Sequence, residues 1–169
     1  MMIKNMYQHA ETVLGGLKVA YPYISRPDQQ IAFTGMVVVA AVTSYEIEIR
    51  HALFEFVDSR EDEIFSVFAH EHWKRTNGRI SYAELSSKYL KCFGEQYEQK
   101  FKTISQQKND ILVRQHKINA INSYGQILSN RNSFVHNGMS NSINLTFDEA
   151  LKDYEEGKHV IEWFSSAIL

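Results

Sequence analysis

The stretch DQQIAFTGMVVVAAVTSYEIEIRHALFEFVD, residues 28–58, decides the fold. Val38, Val42, Tyr45, Ile49, Leu53 and Phe56 follow one another at intervals of 4, 3, 4, 4 and 3, the seam of a helix packed along a bundle. The run from Met36 to Val42 has the character of a buried strand when read alone; the seam that continues beyond it favours helix. At about 1.5 Å per residue such a helix is about 45 Å long and forms the spine of the domain. Ser25, with Asp28 three positions on, is expected to cap its start. Tyr21 to Pro27, with prolines at 22 and 27, reads as a connector.

On the N-terminal side, Ile3, Met6, Tyr7, Ala10, Val13, Leu14 and Leu17 mark an amphipathic helix, weakened at its end by Gly15-Gly16. On the other side, a third helix is expected over Glu61 to Lys74 with Ile64, Val67 and Phe68 inward, broken by Thr76-Asn77-Gly78. Ser81 and Glu84 form a capping box, with Ile80 and Leu85 as a hydrophobic staple, for a helix ending at Gly94. Glu95 to Ile104 reads as a short helix and the polar Ser105 to Asp110 as a mobile loop. Ile118, Ile121, Tyr124, Ile127, Leu128 and Val135 then define an apolar face within residues 111–136, in one helix or in two with a break near Asn122-Ser123. A second capping box, Thr146 and Glu149, opens a last helix whose inner side carries Phe147, Leu151, Tyr154, Ile161, Phe164 and Ile168. Strand alternation, a Gly-rich phosphate loop and internal repeats are not found. The expected fold is all-α, an antiparallel helical bundle in one domain over residues 1–169.

Composition narrows the function classes. With 44% hydrophobic and 12% aromatic residues the chain is a folded one. A formal charge of −2 argues against a protein that coats nucleic acid by bulk positive charge, while leaving room for a local basic groove. Cys92 is the sole cysteine, so neither a disulfide framework nor a cysteine-based zinc site is expected. His70-Glu71-His72 lacks the four-residue histidine spacing of a helical zinc site; solvated histidines are the better reading, and no metal or other cofactor is expected. The N-terminus lacks the basic-then-apolar plan of a signal peptide, and the run Met36 to Val42 is short of the ~20 residues of a membrane span. The expectation is a cytoplasmic protein without a membrane partner.

The chemistry-bearing stretch is Ser129-Asn130-Arg131-Asn132-Ser133-Phe134-Val135-His136-Asn137-Gly138. Its lead-in of Tyr124, Ile127 and Leu128 continues into Phe134 and Val135 at helical spacing, and Gly138 supplies a residue suited to end the helix. Asn132 and His136 share a face, with Arg131 about 140° round from His136. An arginine, an amide and an imidazole so placed can hold a phosphate and move a proton; the same residues also suit a solvated helix end where His136 caps the last carbonyls. Glu46 stands four residues before Arg50, which favours a surface ion pair, the alternative being a carboxylate that faces the His136 helix. Lys100, Lys102, Lys108, Arg114 and Lys117 make the most basic neighbourhood, either a guide for a polyanion or a solvated face.

Arg131-Asn132-Ser133-Phe134-Val135-His136 resembles the Arg, polar residue, spacer and His of HEPN-domain proteins. Ser44-Tyr45-Glu46-Ile47-Glu48 in the long early helix, and the helix opening at Thr146-Phe147-Asp148-Glu149, resemble the RiboL-PSP-type branch. The likeness covers roughly residues 30–58 and 111–168, with residues 60–105 as an insertion or divergent helical region. It implies a four- or five-helix core that pairs about a two-fold axis, and a metal-independent endoribonuclease of toxin or antiphage-defence type. Arg131, His136 and Asn132 would be its catalytic set, with Glu46 supporting and Lys108, Arg114 and Lys117 on the RNA. RNA, a second copy of the chain and an antitoxin or defence-system protein are the implied partners. In one branch a tyrosine two residues after the histidine is modified by a nucleotidyltransferase antitoxin; here that position is Gly138, so that control is not carried over. The alternative reading is a non-catalytic module that binds RNA or a protein.

Overall fold

The structure is a computed structural model and describes residues 7–74, 79–137 and 143–169. The expected helix start near Ile3, the break at Thr76 to Gly78 and the turn at Gly138 lie outside the described residues. In chain order the elements are α1 (Gln8–Ala20), α2 (Pro27–Asp58), α3 (Glu63–Trp73), α4, α5 (Glu95–His116), α6 (Ala120–Asn137) and α7 (Phe147–Ile168). Segment α4 starts as Tyr82–Glu84, widens into a π turn over Leu85–Leu90 and tightens into a 3₁₀ turn over Lys91–Phe93. No strand occurs among the described residues, and the fold is all-α.

The long seam forms the predicted helix. Pro27 sits in the first turn, where its missing N–H is no loss. The expected cap by Ser25 does not form: the cap position is Arg26, which makes no side-chain cap and instead grips Asp28 at 2.7 Å. By length and composition alone α2 is apolar enough to cross a membrane. In the fold it is the core helix, with Val37, Val38, Ala41, Tyr45, Ile49 and Leu53 sealed from solvent by its neighbours.

A layer of tyrosines locks α2, α6 and α7 together. The Tyr45 ring lies 5.2 Å from Tyr124 and 5.7 Å from Tyr154, centroid to centroid. All three are fully buried, and the hydroxyls of Tyr45 and Tyr124 each reach a backbone carbonyl. Tyr45 donates to the Tyr154 carbonyl at 2.7 Å, and Tyr124 donates to the Ile80 carbonyl. Gly157 makes room for this layer: a Cβ there would stand 2.3 Å from the Tyr45 hydroxyl. Register follows from such pairs. Gly35 meets Phe134 and Tyr45 meets Tyr124, so α2 and α6 run antiparallel. Ser123 bonds Glu156 and Asn130 bonds Asn144, so α6 and the start of α7 do too.

Both predicted capping boxes form, at Ser81/Glu84 and at Thr146/Glu149. Four other expectations are corrected. Helix α1 passes through Gly15-Gly16, which face open space, and ends at Ala20. The polar stretch 105–110 is helix, not loop. Ser105 and Asn109 are its buried face: Ser105 shares a hydrogen bond of 2.6 Å with the Tyr82 hydroxyl, and Asn109 bonds Asn119 and the N–H of Ile121. The break before α6 falls at 117–119, where Lys117 takes φ 60° and Asn119 accepts from the N–H of Asn122; Ser123 is within α6.

The fourth correction concerns α3. Ile64, Val67 and Phe68 point outward, while Phe65, Ala69 and Trp73 face the core. Phe65 and Trp73 pack on Phe93, with centroids 6.3 and 5.1 Å away. Asp58 accepts hydrogen bonds from Ser66 at 2.7 Å and from His70 at 3.0 Å, pinning the same side of α3 to the end of α2. One residue on a helix is about 100°, so choosing Phe65 over Ile64 turns the apolar stripe into solvent.

Candidate functional site

The Arg131–His136 stretch occupies the last turns of α6. His136 and Asn132 are exposed, and Arg131 is half-buried. The Arg131 guanidinium donates to the Asn132 side-chain carbonyl at 3.1 Å, so the pair presents one combined polar group. Three further residues hold this end of α6 in place. Asn130, only 4% exposed, donates to the Gln126 carbonyl at 2.9 Å and accepts from the N–H of Asn144 at 2.8 Å. That second bond staples the motif to the chain entering α7. Phe134 lies directly on Gly35 of α2: a Cβ at Gly35 would fall 2.2 Å from the ring. A glycine inside a helix costs about 1 kcal/mol relative to alanine, and the approach of Phe134 explains its presence in the spine.

Sequence reasoning gave no role to Asn130 or Gly35, and read Phe134 only as a continuation of the apolar face of its helix. The signals were a lone glycine inside a β-branched run and an asparagine on an otherwise apolar helix face. Val135, expected on the inner side, is 52% exposed. Beside Phe134 lies an apolar cleft of about 420 Å³ whose walls include Val13, Leu17, Met36, Val39 and Ile47. Thr43 and Ser44 are its hydroxyl-bearing members.

The other candidates lie elsewhere along α6. Glu46 is half-buried on α2, and its charge acts on Tyr124 and Tyr89, helping burial to push Tyr89 up to about 12. Tyr124 is twelve residues before His136, about 18 Å along the helix. Arg50 donates to the Lys74 carbonyl at 3.2 Å. Lys108, Arg114 and Lys117 are exposed near the start of α6, about 24 Å along its axis from His136. Lys102, in the same basic neighbourhood, is tied to Glu98 at 2.6 Å. One chain thus carries Arg131, Asn132 and His136 on the last turns of α6, with Arg131 bonded to Asn132, and leaves Glu46 and the basic side chains nearer the start of that helix.

Among the described residues no cluster of three metal-binding side chains occurs. His70 is occupied by Asp58 and stacks on Phe54 with centroids 3.9 Å apart. His72 stacks on Phe68 at 5.7 Å.

Chemically, the end of α6 offers a permanent cation with a planar donor fork, an amide beside it and an imidazole a turn further on. Compared with known families, residues 9–169 match the family model described as RiboL-PSP-HEPN. No curated protein and no solved structure matches the chain.

Proposed function

We propose, for a chain that belongs to the RiboL-PSP-HEPN family, a metal-independent endoribonuclease whose active site is built from Arg131, Asn132 and His136 of two copies. The observation that carries the reading is the placement of Arg131 and His136 on the terminal turns of α6, one beside Asn132 and the other open to solvent. RNA carries a 2′-hydroxyl next to its own phosphate. Cleavage therefore needs proton removal from that hydroxyl, stabilisation of the crowded phosphate and protonation of the departing 5′-oxygen. The O2′–P bond forms, the P–O5′ bond breaks, and a cyclic phosphate and a free 5′-hydroxyl result. An imidazole takes or gives the proton near neutral pH. Arg131 meets the negative charge that develops on the phosphate oxygens, and Asn132 orients the guanidinium.

A single chain supplies one imidazole at this end of α6. A two-fold dimer doubles the set, because an isologous interface meets its own counterpart. The apolar cleft walled by Phe134 supports pairing on this side of the bundle. A dimer would also present the basic ends of α5, with Lys108, Arg114 and Lys117, as outlying contacts to phosphate. The site operates without a metal in this reading, in a cytoplasmic toxin or defence role under the control of a partner protein. The test is cleavage of tRNA and total RNA in EDTA by wild type and by His136→Ala. Cleavage by wild type alone supports the reading, and equal cleavage by the variant sinks it. RNA binding without product by wild type selects the non-catalytic module instead.

A further inference from the structure

We propose that the cleft between α1 and α2 binds a single-chain amphiphilic amine, its alkyl tail on the apolar walls toward Phe134 and its ammonium head toward Glu48. The cleft holds about 420 Å³, within the range of small-molecule sites. Its walls are rows along two helices. On α1 the row runs from Leu17 through Val13 to Ala10, and on α2 from Met36 through Ala40 to Ser44. Steps of three and four residues keep each row on one helix face, so the next positions are Tyr7 on α1 and Glu48 on α2. These two meet: burial first, and then the Glu48 charge, push the Tyr7 hydroxyl up. The Tyr154 ring of α7 stands edge-on to Tyr7, with centroids 6.4 Å apart.

This end of the cleft carries unmet polar groups. Glu48 and Tyr154 have no exposed surface, and both Glu48 oxygens and the Tyr154 hydroxyl lack hydrogen-bond partners among the described residues. Ser44, beside Tyr154, already donates to the Ala41 carbonyl at 2.8 Å. Buried polar atoms are nearly always paired, so three orphans in one place call for a donor from outside the chain. An alkylammonium brings three N–H donors.

The charge around the orphans selects the head. Glu162 and Glu155 act on Tyr7, and Glu155 and Glu11 on Tyr154. Against them stands Lys158, seated over the Tyr7 and Tyr154 rings at 4.9 and 4.4 Å. It is already tied to Glu155 at 2.8 Å and to Glu11 at 3.4 Å. Carboxylate and phosphate heads are repelled here, and an alcohol offers one proton for two carboxylate oxygens. The walls select the tail: Met36 to Glu48 is about 18 Å along α2, the reach of a medium-length alkyl chain. Burial holds the unpaired Glu48 carboxyl up to about 7, and a seated ammonium favours its ionised form, so affinity rises with pH through that value. The site uses neither Arg131 nor His136, and it stands or falls independently of the ribonuclease reading.

The test titrates ¹⁵N-labelled full-length protein with decylamine, decanol and decanoate, each below its micelle threshold. With decylamine, saturable shifts along residues 7–17 and 36–48 are expected, at a Kd at least about tenfold below that for decanol. Decylamine should bind about tenfold more tightly at pH 8 than at pH 6. Two variants separate head from tail. Glu48→Gln should bring decylamine and decanol to equal affinity, with decanol binding kept as the sign of an intact cleft. Thr43→Trp, at an exposed wall position, should fill the cleft and abolish binding of both with an unchanged circular dichroism spectrum. A preference for decylamine that survives Glu48→Gln, equal binding of decanoate, or shifts centred elsewhere overturns the proposal. So does a second copy that covers the cleft in solution, seen as a dimer by sedimentation whose cleft residues decylamine leaves unshifted.

Discussion

Glu48 sits on the spine helix with none of its surface exposed, and neither carboxylate oxygen has a hydrogen-bond partner among the described residues. Burial alone pushes its carboxyl up from 4.5 to about 7. At about 1.4 kcal/mol per pH unit, that displacement corresponds to about 3 kcal/mol of stability. The sign follows from the protonated form being the one the fold prefers. The stabilisation is complete below the unfolded value of 4.5, declines as pH rises, and is gone above about 7. Glu48→Gln keeps the shape and removes the charge, so its stability lacks this component of pH dependence. Urea unfolding of both proteins at pH 5 and pH 8.5 measures it. Because pH 5 already lies above 4.5, the variant should gain about 2.5 kcal/mol on the wild type between the two conditions. Buried Gln has its own unmet hydrogen bonds, which shift both conditions equally and cancel in the difference. Parallel pH profiles for the two proteins would refute the reasoning.

Other outcomes follow from the packing. Gly35→Val should cost about 2 kcal/mol by overpacking against Phe134, and Phe134→Ala in the same chain should recover most of it in a double-mutant cycle. Asn130→Ala removes two hydrogen bonds that fasten the motif and should cost about 2 kcal/mol in urea unfolding, with RNA cleavage falling further than stability explains. Thr146→Ala removes the capping box of α7 and should lower stability by about 1 kcal/mol, measured the same way, without altering cleavage rate at temperatures where the fold is intact.

The fold was legible where side chains act locally or in long register. The seam from Val38 to Phe56 defined α2 because a 3.6-residue period sustained over many turns has one reading. Ser81/Glu84 and Thr146/Glu149 were legible because a capping box is written in four consecutive residues. Two failures share a cause: polarity was read as exposure, and apolarity as burial. Ser105 and Asn109 are polar and buried, because Tyr82 and the start of α6 supply their hydrogen bonds from distant sequence. Ile64 and Phe68 are apolar and exposed, because Phe93 recruits the neighbouring face of α3. Arg131, Asn132 and His136 fell on one helix as the spacing required. The supports at Asn130 and Gly35 depend on tertiary partners 14 and 99 residues away, beyond the reach of any local pattern.

The most direct measurement of the central claim is the chemical nature of the RNA ends left after cutting in EDTA. The account predicts 2′,3′-cyclic phosphate and 5′-hydroxyl ends from wild type, with neither formed by His136→Ala. Ends bearing a 3′-hydroxyl and a 5′-phosphate, or undiminished cutting by the variant, would contradict it.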